Sequence, residues 1–249
     1  MKGVYICFSA EDVVDALQDA VSQGAKAGNV RILGGGHCYE NFVYSTATEY
    51  IIDISGMREI QHDAIDNVTS IGAGQTNWDV AVVLQKQYNL QLPAGSCYSV
   101  GLGGHVAGGG YGLSSRAYGL TVDYLSAVEI VVPSGNKFHT ITANKESNND
   151  LFVALRGAGG GNFGVITKYF FANLPNAFQN ADLFAIAIDW KEIKSANTLK
   201  AILDLYALYC TNVGDSTTIA DQSWSKNIFC LGKFTHKSAS QFAFIIQSA

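Results

Sequence analysis

Clustered backbone amides are the first feature of this sequence that can do chemistry. The chain has 26 glycines against three prolines, and the glycines concentrate at 34–36, 101–112 and 157–164. Consecutive glycines let several backbone N–H groups point at one anion without obstruction by side chains. The natural ligand of such loops is a phosphate or pyrophosphate. Three of them in one domain predict a long cofactor that is contacted at several points.

Two common phosphate-binding motifs do not explain these clusters. Residues 159–164 match G-x-G-x-x-G, but a dinucleotide-binding fingerprint follows a strand and opens a helix. Here the match follows a predicted short helix and leads into the β-branched run 165–167. The phosphate-loop pattern that ends in Gly-Lys-Ser/Thr is absent from the sequence, which argues against a P-loop NTPase.

The five cysteines show no metal-binding pattern. They contain no CxxC pair, so a zinc site is not expected, and a disulfide framework is not expected beside so large an apolar core. Each one is expected to be a small buried hydrophobe unless it serves chemistry. They are Cys7, Cys38, Cys97, Cys210 and Cys230.

Composition excludes several classes of function. Of the 249 residues, 48% are apolar and 15% are charged, which predicts a folded chain with one large domain or one domain and part of another. The 16 basic residues form no cluster, so nucleic-acid binding has no support. No apolar stretch approaches the ~20 residues that cross a bilayer. The N-terminus also lacks a signal-peptide pattern, which favours a cytoplasmic over a secreted location.

A β-α-β unit is predicted to position the first glycine cluster. A strand over 3–8 precedes Ser9, whose spacing to Asp12 is typical of a helix start. A strand over 30–33 then runs directly into Gly34. Thr76 and Asp79 form a second such capping pair before a helix. Further strands are predicted over 50–54, 69–71, 126–132, 137–141 and 165–172, with a short helix over 151–156 capped by Asp150.

The composition changes near residue 175, where glycine almost disappears. The pattern beyond it predicts strands over 183–190 and 228–234 and helices over 195–209 and 238–248. We therefore predict a domain boundary that separates residues 1–174 from residues 175–249.

Three segments resemble the berberine-bridge-enzyme-like FAD-linked oxidases, whose FAD-binding domain is of the vanillyl-alcohol-oxidase type. Residues 34–40 are similar to the family's GGH-x-Y segment, and 95–105 to its G-x-C-x-x-V-G-x-G-G segment. Residues 108–123 continue the second segment, and 155–165 match a third. They occur in family order over about 3–172, and together they are highly specific.

The resemblance implies a covalently bound FAD. It implies that His37 bonds to the flavin 8α carbon and Cys97 to its C6 carbon. The Cys38 side chain is expected to pack inward, and His105 to be structural rather than catalytic. The remaining implied cofactor contacts are Gly34, Gly35, Gly36, Cys38, Val100, Gly101, Gly103, Gly104, His105, Gly108, Gly109, Gly110, Gly112, Leu120, Val122, Gly161, Asn162, Phe163, Gly164 and Val165.

The implied reaction is hydride transfer from a substrate C–H group to the flavin, followed by reoxidation by dioxygen to hydrogen peroxide. Family substrates include oligosaccharides, alkaloids, aromatic alcohols and antibiotic intermediates, and nothing in the sequence selects among them. In the family, a valine at the position of Val100 leaves room for dioxygen. Val100 therefore favours an oxidase, although a generic core valine explains it equally well.

The sequence departs from the family in two respects. Leu33 stands where many relatives carry a basic residue. The relatives are also considerably longer, and their later segments complete the FAD domain and supply a Glu or Tyr base. No catalytic base is therefore assigned here, and Tyr39, Tyr111 and Tyr118 are taken as residues of cofactor loops.

The predicted fold class is α+β. A two-subdomain FAD-binding domain is followed by part of an α+β substrate domain with an antiparallel sheet. The expected partners are a small-molecule substrate, dioxygen and a missing C-terminal segment or second chain; no metal, nucleic acid or membrane is expected. Two alternatives stay open: a singly linked FAD dehydrogenase with another acceptor, and a non-catalytic flavin-binding remnant.

Overall fold

The computed structural model describes residues 1–211 and 227–248, which fall into two compact units. The first unit comprises residues 1–112 and 120–177. The second comprises residues 113–119 and the described residues from 178 onward. The division into domains at residue 174 stays a prediction.

A small parallel sheet opens the first unit, in the order β1 (Gly3–Ile6), β3 (Tyr50–Asp53), β2 (Val30–Leu33). Helix α1 (Ala10–Ser22) follows β1. It begins where predicted, because the Ser9 hydroxyl accepts from the Asp12 N–H group at 3.1 Å and the Asp12 carboxylate accepts from the Ser9 N–H group at 3.0 Å. Strand β2 leads directly into the first glycine cluster, residues 34–36.

A five-stranded antiparallel sheet forms the body of the first unit. Its order is β4 (Ile60–Asp63), β5 (Val68–Gly72), β8 (Val165–Ala172), β6 (Leu125–Ser134), β7 (Lys137–Asn144). The predicted hairpin is confirmed as β6 and β7. Strand β4 was not predicted from the sequence.

Three helices complete the first unit. Helix α2 (Asn77–Val83) begins after Thr76, whose hydroxyl accepts from the Asp79 N–H group at 3.2 Å, and a π turn extends it over Leu84–Tyr88. Helix α3 (Leu102–Ala107) lies within the second glycine cluster. Helix α5 (Asn149–Leu155) begins after Asn148 without a side-chain cap. The predicted cap at Asp150 is wrong, because that residue already lies in the first turn.

The core of the first unit lies between the sheets and these helices. Among its largest fully buried side chains are Tyr50, Tyr169, Phe152 and Phe171. The Tyr169 hydroxyl donates to the Gly103 carbonyl at 2.7 Å and so ties β8 to helix α3. Burial strongly raises the pKa of Tyr169, so this hydroxyl stays a donor at ordinary pH.

The second unit contains an antiparallel sheet in the order β10 (Ile228–Lys233), β11 (Gln241–Ser248), β9 (Asp182–Asp189). Helix α6 (Ala196–Thr211) packs against it, with the Tyr206 ring 5.6 Å from that of Phe244. The short helix α4 (Ser115–Tyr118) also belongs to this unit. Its Arg116 guanidinium stacks 4.0 Å from the Tyr209 ring and donates to the Tyr209 carbonyl at 2.8 Å.

The predicted helix over 238–248 is wrong. A short 3-10 turn over Lys237–Ala239 is followed by strand β11, which pairs with strands on both sides. Phe242 and Phe244 lie on one face of this strand, as its period-two pattern requires. None of the helices in the described ranges has the length and apolar character of a membrane span.

Candidate functional site

His37 lies exposed at the end of the first glycine cluster. The chain leaves β2 at Leu33 and turns through Gly36, whose φ of 69° favours glycine. The His37 Nε2 atom then lies 2.9 Å from the Ser99 hydroxyl. Cys38 is exposed as well, so its predicted inward packing is wrong. The reason is that the chain is not a strand there, and alternation of side chains does not apply.

Cys97 lies in the middle of the loop 95–101 and is exposed. The loop is held by the first two N–H groups of helix α2, which have no acceptor within the helix. The Asn77 N–H group donates to the Val100 carbonyl at 3.0 Å, and the Trp78 N–H group to the Tyr98 carbonyl at 3.3 Å. Helix α2 therefore fixes the backbone on the C-terminal side of Cys97.

The first glycine cluster and the Cys97 loop touch through two glycines. A Cβ atom added to Gly35 would lie 2.3 Å from the Gly101 nitrogen, and one added to Gly101 would lie 2.3 Å from the Gly35 nitrogen. Only glycine permits this approach of two backbones at both positions. The contact brings together the segments that carry His37 and Cys97.

Helix α3 continues from Gly101 and places the next glycines. Gly103 packs against the Ala73 carbonyl, whereas Gly104 is exposed. Outside its own helix backbone, none of the described residues lies within 4 Å of a Cβ added to Gly104. His105 is half-buried, and its Nε2 atom accepts from the Gly95 N–H group at 2.9 Å. Burial lowers the pKa of His105, which favours the neutral ring that this contact needs.

Protein neighbours account for the glycines at the end of the second cluster. Gly110 has a φ of 74° and lies against the Thr121 side chain, and an added Cβ on Gly112 would overlap the Ala94 carbonyl. The Gly109 and Gly110 carbonyls accept from the N–H groups of Val122 and Thr121. Cofactor contacts by Gly108, Gly109, Gly110, Gly112, the partly exposed Leu120 and the buried Val122 stay predictions.

The third cluster lies between helix α3 and strand β2. The Gly159 N–H group donates to the Ala107 carbonyl at 2.9 Å, an added Cβ on Gly160 would lie 3.9 Å from the Gly104 Cα atom, and one on Gly161 would lie 3.8 Å from Ile32 Cγ1. The second glycine cluster therefore contacts both the first and the third. Of the other predicted contacts, Asn162 and Phe163 are exposed, Gly164 lies against the Val131 carbonyl and Val165 is buried in β8.

These residues fit a bound anionic cofactor. At Gly34, Gly104 and Gly160, neither a positive φ nor a close neighbour among residues 1–211 and 227–248 requires glycine. Glycine within a helix, as at Gly104, costs about 0.5–1 kcal/mol relative to alanine. Open glycines where three loops meet leave room for a ligand to approach the backbone, as the diphosphate of FAD requires.

Two contributors to this site were not predicted. Ser99 contacts His37 across 62 positions of sequence, and Asn77 holds the Cys97 loop. Ser99 follows Cys97 by two residues, but its type carries no specific signal. Asn77 is marked only by its place after the capping residue Thr76.

The comparisons with known proteins place the chain among flavoproteins. The family described as FAD binding domain matches residues 1–140. Hexose oxidase from Chondrus crispus is 36% identical over 253 residues, which cover 99% of this chain and 43% of that protein. Aclacinomycin-N/aclacinomycin-A oxidase from Streptomyces galilaeus is 38% identical over 172 residues, which cover 68% of this chain and 31% of that protein.

Solved structures agree with the sequence comparison. Aclacinomycin oxidoreductase superposes with a TM-score of 0.85 at 31% identity, over 98% of this chain and 51% of that one. A glycopeptide hexose oxidase complexed with teicoplanin gives a TM-score of 0.82 at 31% identity, over 99% and 52%. The chain thus spans about half the length of these relatives. It belongs to the FAD binding domain family and, within it, to the berberine-bridge-enzyme-like FAD-linked oxidases with the vanillyl-alcohol-oxidase-type fold, as its motifs predicted.

Proposed function

We propose that this chain holds FAD through covalent bonds from His37 and Cys97 in an oxidoreductase that transfers hydride from a substrate C–H group and uses dioxygen as electron acceptor. One observation carries the proposal. The loops that bear His37 and Cys97 touch backbone to backbone at Gly35 and Gly101, with both reactive side chains exposed. Bound FAD supplies the hydride acceptor and the site at which dioxygen takes up electrons.

Ser99 orients the imidazole of His37. When Nε2 carries the ring proton and donates it to the Ser99 hydroxyl, Nδ1 presents its lone pair. Nδ1 is then the nitrogen that joins the flavin. Cys97 reacts as its thiolate, the nucleophilic form of cysteine, from the middle of the adjoining loop.

The reactions that form the two covalent bonds have the same balance of hydrogens and electrons. Each bond removes one hydrogen from the residue and one from the flavin carbon. His37 bonds through Nδ1 and then loses the proton on Nε2, so that Nε2 can accept from the Ser99 hydroxyl, whereas Cys97 loses its S–H proton. The two electrons released per bond pass through the flavin to dioxygen, which leaves as hydrogen peroxide. A doubly linked protein is therefore lighter than a singly linked one by the mass of two hydrogens.

Two features bear on the acceptor and the substrate. Val100 is half-buried in the Cys97 loop, three residues after Cys97, and the family resemblance implies room for dioxygen beside a valine at this position. Hexose oxidase and glucooligosaccharide oxidase are among the relatives, so sugars are the first substrates to test. No residue of this chain is assigned as the base that accepts the substrate proton.

A denaturing gel viewed for flavin fluorescence, combined with the intact mass, tests the links. Wild type is expected to keep the flavin after denaturation, His37→Ala to keep only a cysteinyl link, and Cys97→Ser only a histidyl link. His139→Ala is the matched control, because His139 is exposed on β7 outside the glycine clusters. A wild-type protein that folds, binds FAD and releases all of it on denaturation contradicts the covalent proposal.

Peroxide release distinguishes an oxidase from the alternatives. The protein is mixed with hexoses, glucooligosaccharides and an aromatic alcohol, and hydrogen peroxide is followed with time. Flavin reduction by a substrate without peroxide indicates a dehydrogenase with another acceptor. Bound FAD that dithionite reduces but no substrate reduces favours a flavin-binding role without catalysis.

A further inference from the structure

Asn77 bonds to both ends of the loop that carries Cys97. Its side-chain Nδ2 atom donates to the Gly95 carbonyl at 3.1 Å, and its backbone N–H group donates to the Val100 carbonyl at 3.0 Å. Asn77 is the first residue of helix α2, and 5% of its surface is exposed. One buried residue therefore closes the loop around Cys97.

The same loop also controls the orientation of His37. Ser99 lies between Cys97 and Val100, and its hydroxyl is 2.9 Å from the His37 Nε2 atom. A shift of the loop therefore moves the sulfur of Cys97 and the hydrogen bond to His37 together. Whatever fixes the loop fixes both proposed attachment points.

The other contacts of the loop do not replace the Asn77 side chain. His105 accepts from the Gly95 N–H group, so the Gly95 residue is held at its nitrogen by His105 and at its carbonyl by Asn77. The bond from Trp78 to Tyr98 comes from a backbone N–H group, which most residue types supply. Among these hydrogen bonds of the loop, a substitution at position 77 removes the one from Asn77 Nδ2 to the Gly95 carbonyl.

The stability of the fold does not by itself explain an asparagine at position 77. Among the described residues, its buried Oδ1 atom has no hydrogen-bond partner. A buried acceptor without a partner opposes folding, and an apolar residue of similar shape would avoid that penalty. The amide is thus better explained by its donor, which binds the Gly95 carbonyl.

We propose that Asn77 is a positioning residue that holds the Cys97 loop in the geometry needed to attach flavin at both Cys97 and His37. The purpose assigned to this positioning, the attachment of flavin, rests on the proposed function. The placement of the loop by Asn77 is testable whether or not flavin is attached.

The test compares wild type with Asn77→Asp and Thr167→Val. Asn77→Asp keeps the side-chain shape but sets a carboxylate oxygen against the Gly95 carbonyl, so the donor is lost. Thr167→Val is the matched control. It removes a buried hydroxyl of β8 in the same unit, which donates to the Glu129 carboxylate of β6 at 2.6 Å. Hydrogen exchange is measured for the peptide covering 95–101, and the ratio of doubly to singly linked flavin is measured by mass.

Asn77→Asp is expected to speed exchange of the Gly95 and Val100 amides roughly tenfold, as loss of one stabilising hydrogen bond implies. It is also expected to lower the share of doubly linked flavin. Thr167→Val should change neither readout, even where it lowers the melting temperature similarly. Unchanged exchange and unchanged linkage in Asn77→Asp overturn the inference. If wild type carries no linked flavin, the proposed function fails, and the exchange result alone supports or overturns the positioning role.

Discussion

His105 shows how one half-buried side chain orders the proposed flavin site. Its neutral ring accepts the Gly95 N–H group, two residues before Cys97. Burial disfavours the imidazolium form, so the pKa of His105 lies below its usual value of 6.5. The contact therefore depends on the ring staying unprotonated.

We predict that this histidine makes stability fall in mildly acidic solution. As the pH drops, the unfolded chain takes up the His105 proton first, because its pKa is the higher one. The stabilisation is complete above pH 6.5 and is lost as the pH falls from there towards the folded pKa. Denaturant unfolding of wild type and His105→Gln between about pH 8 and 5 measures this difference.

The glutamine variant offers an acceptor that does not titrate, so its free energy of unfolding is expected to depend less on pH. His139→Gln serves as the control, because His139 is exposed on β7. Equal pH dependence for wild type and His105→Gln would contradict the prediction.

At the scale of residues, the sequence singles out the proposed attachment residues but not the residues that contact them. His37 and Cys97 stand in specific motifs that can be read locally. The partners Ser99 and Asn77 are ordinary polar residues that reach the site only after the chain folds, and Ser99 lies 62 positions from His37. Cys38 was misplaced because alternation was assumed for a segment that is not a strand.

Among the elements, the glycine-rich segments serve two physical purposes. Gly35 and Gly101 permit contact between backbones, whereas Gly104 faces open space in the middle of helix α3. The first purpose concerns folding, and the second, on the proposed function, concerns the approach of FAD. Substitution by alanine separates the two.

Gly104→Ala is predicted to stabilise the cofactor-free protein and to weaken FAD retention. Apart from the helix's own backbone, an added methyl meets no atom within 4 Å in the part of the chain that the structure describes, and it removes about 0.5–1 kcal/mol of the penalty for glycine in a helix. On the proposed function, the same methyl occupies space that bound FAD needs. Gly35→Ala is the contrast, because its methyl would lie 2.3 Å from the Gly101 nitrogen and should destabilise the protein with or without FAD.

Denaturant unfolding of the cofactor-free variants and the flavin-to-protein absorbance ratio after purification measure the two effects. Full FAD content in Gly104→Ala would remove Gly104 from the cofactor site. A loss of stability in the cofactor-free Gly104→Ala protein would show that the added methyl clashes with a neighbour, and that the space beside Gly104 is not open.

The elements that local signals specify were predicted well. Ser9 and Thr76 begin helices where their capping patterns indicate, and the β6–β7 hairpin forms across Gly135, which has a φ of 58°. The strand at 241–248 was mistaken for a helix because a short apolar run carries either pattern. The segment forms a strand because it pairs with β9 and β10, and this long-range pairing cannot be inferred from the local sequence.

Long-range connections decide the organisation of the whole chain. The segment 113–119 joins the second unit, and the Arg116 bond to the Tyr209 carbonyl spans 93 positions of sequence. No local composition marks this segment as different from the glycine cluster that precedes it. The domain boundary predicted near residue 175 rests on the change in glycine content. That change cannot reveal that an earlier segment, 113–119, belongs to the second unit.

The second unit exposes an apolar edge. Within the described residues, β9 pairs on one side only, and Leu183, Phe184 and Ile186 are each at least half exposed. An unpaired strand with apolar side chains is a template for association with another strand. We therefore expect the chain to self-associate through β9 as its concentration rises.

Leu183→Lys is predicted to reduce this self-association, because a charged side chain on an edge strand opposes pairing with a second strand. Val153→Lys is the matched control. Val153 is 61% exposed against 66% for Leu183, lies on helix α5 of the first unit and gives the same change in net charge. Light scattering across a concentration series should show a smaller apparent mass for Leu183→Lys than for wild type or Val153→Lys. If both lysine variants lower the apparent mass equally, net charge rather than the β9 edge governs association.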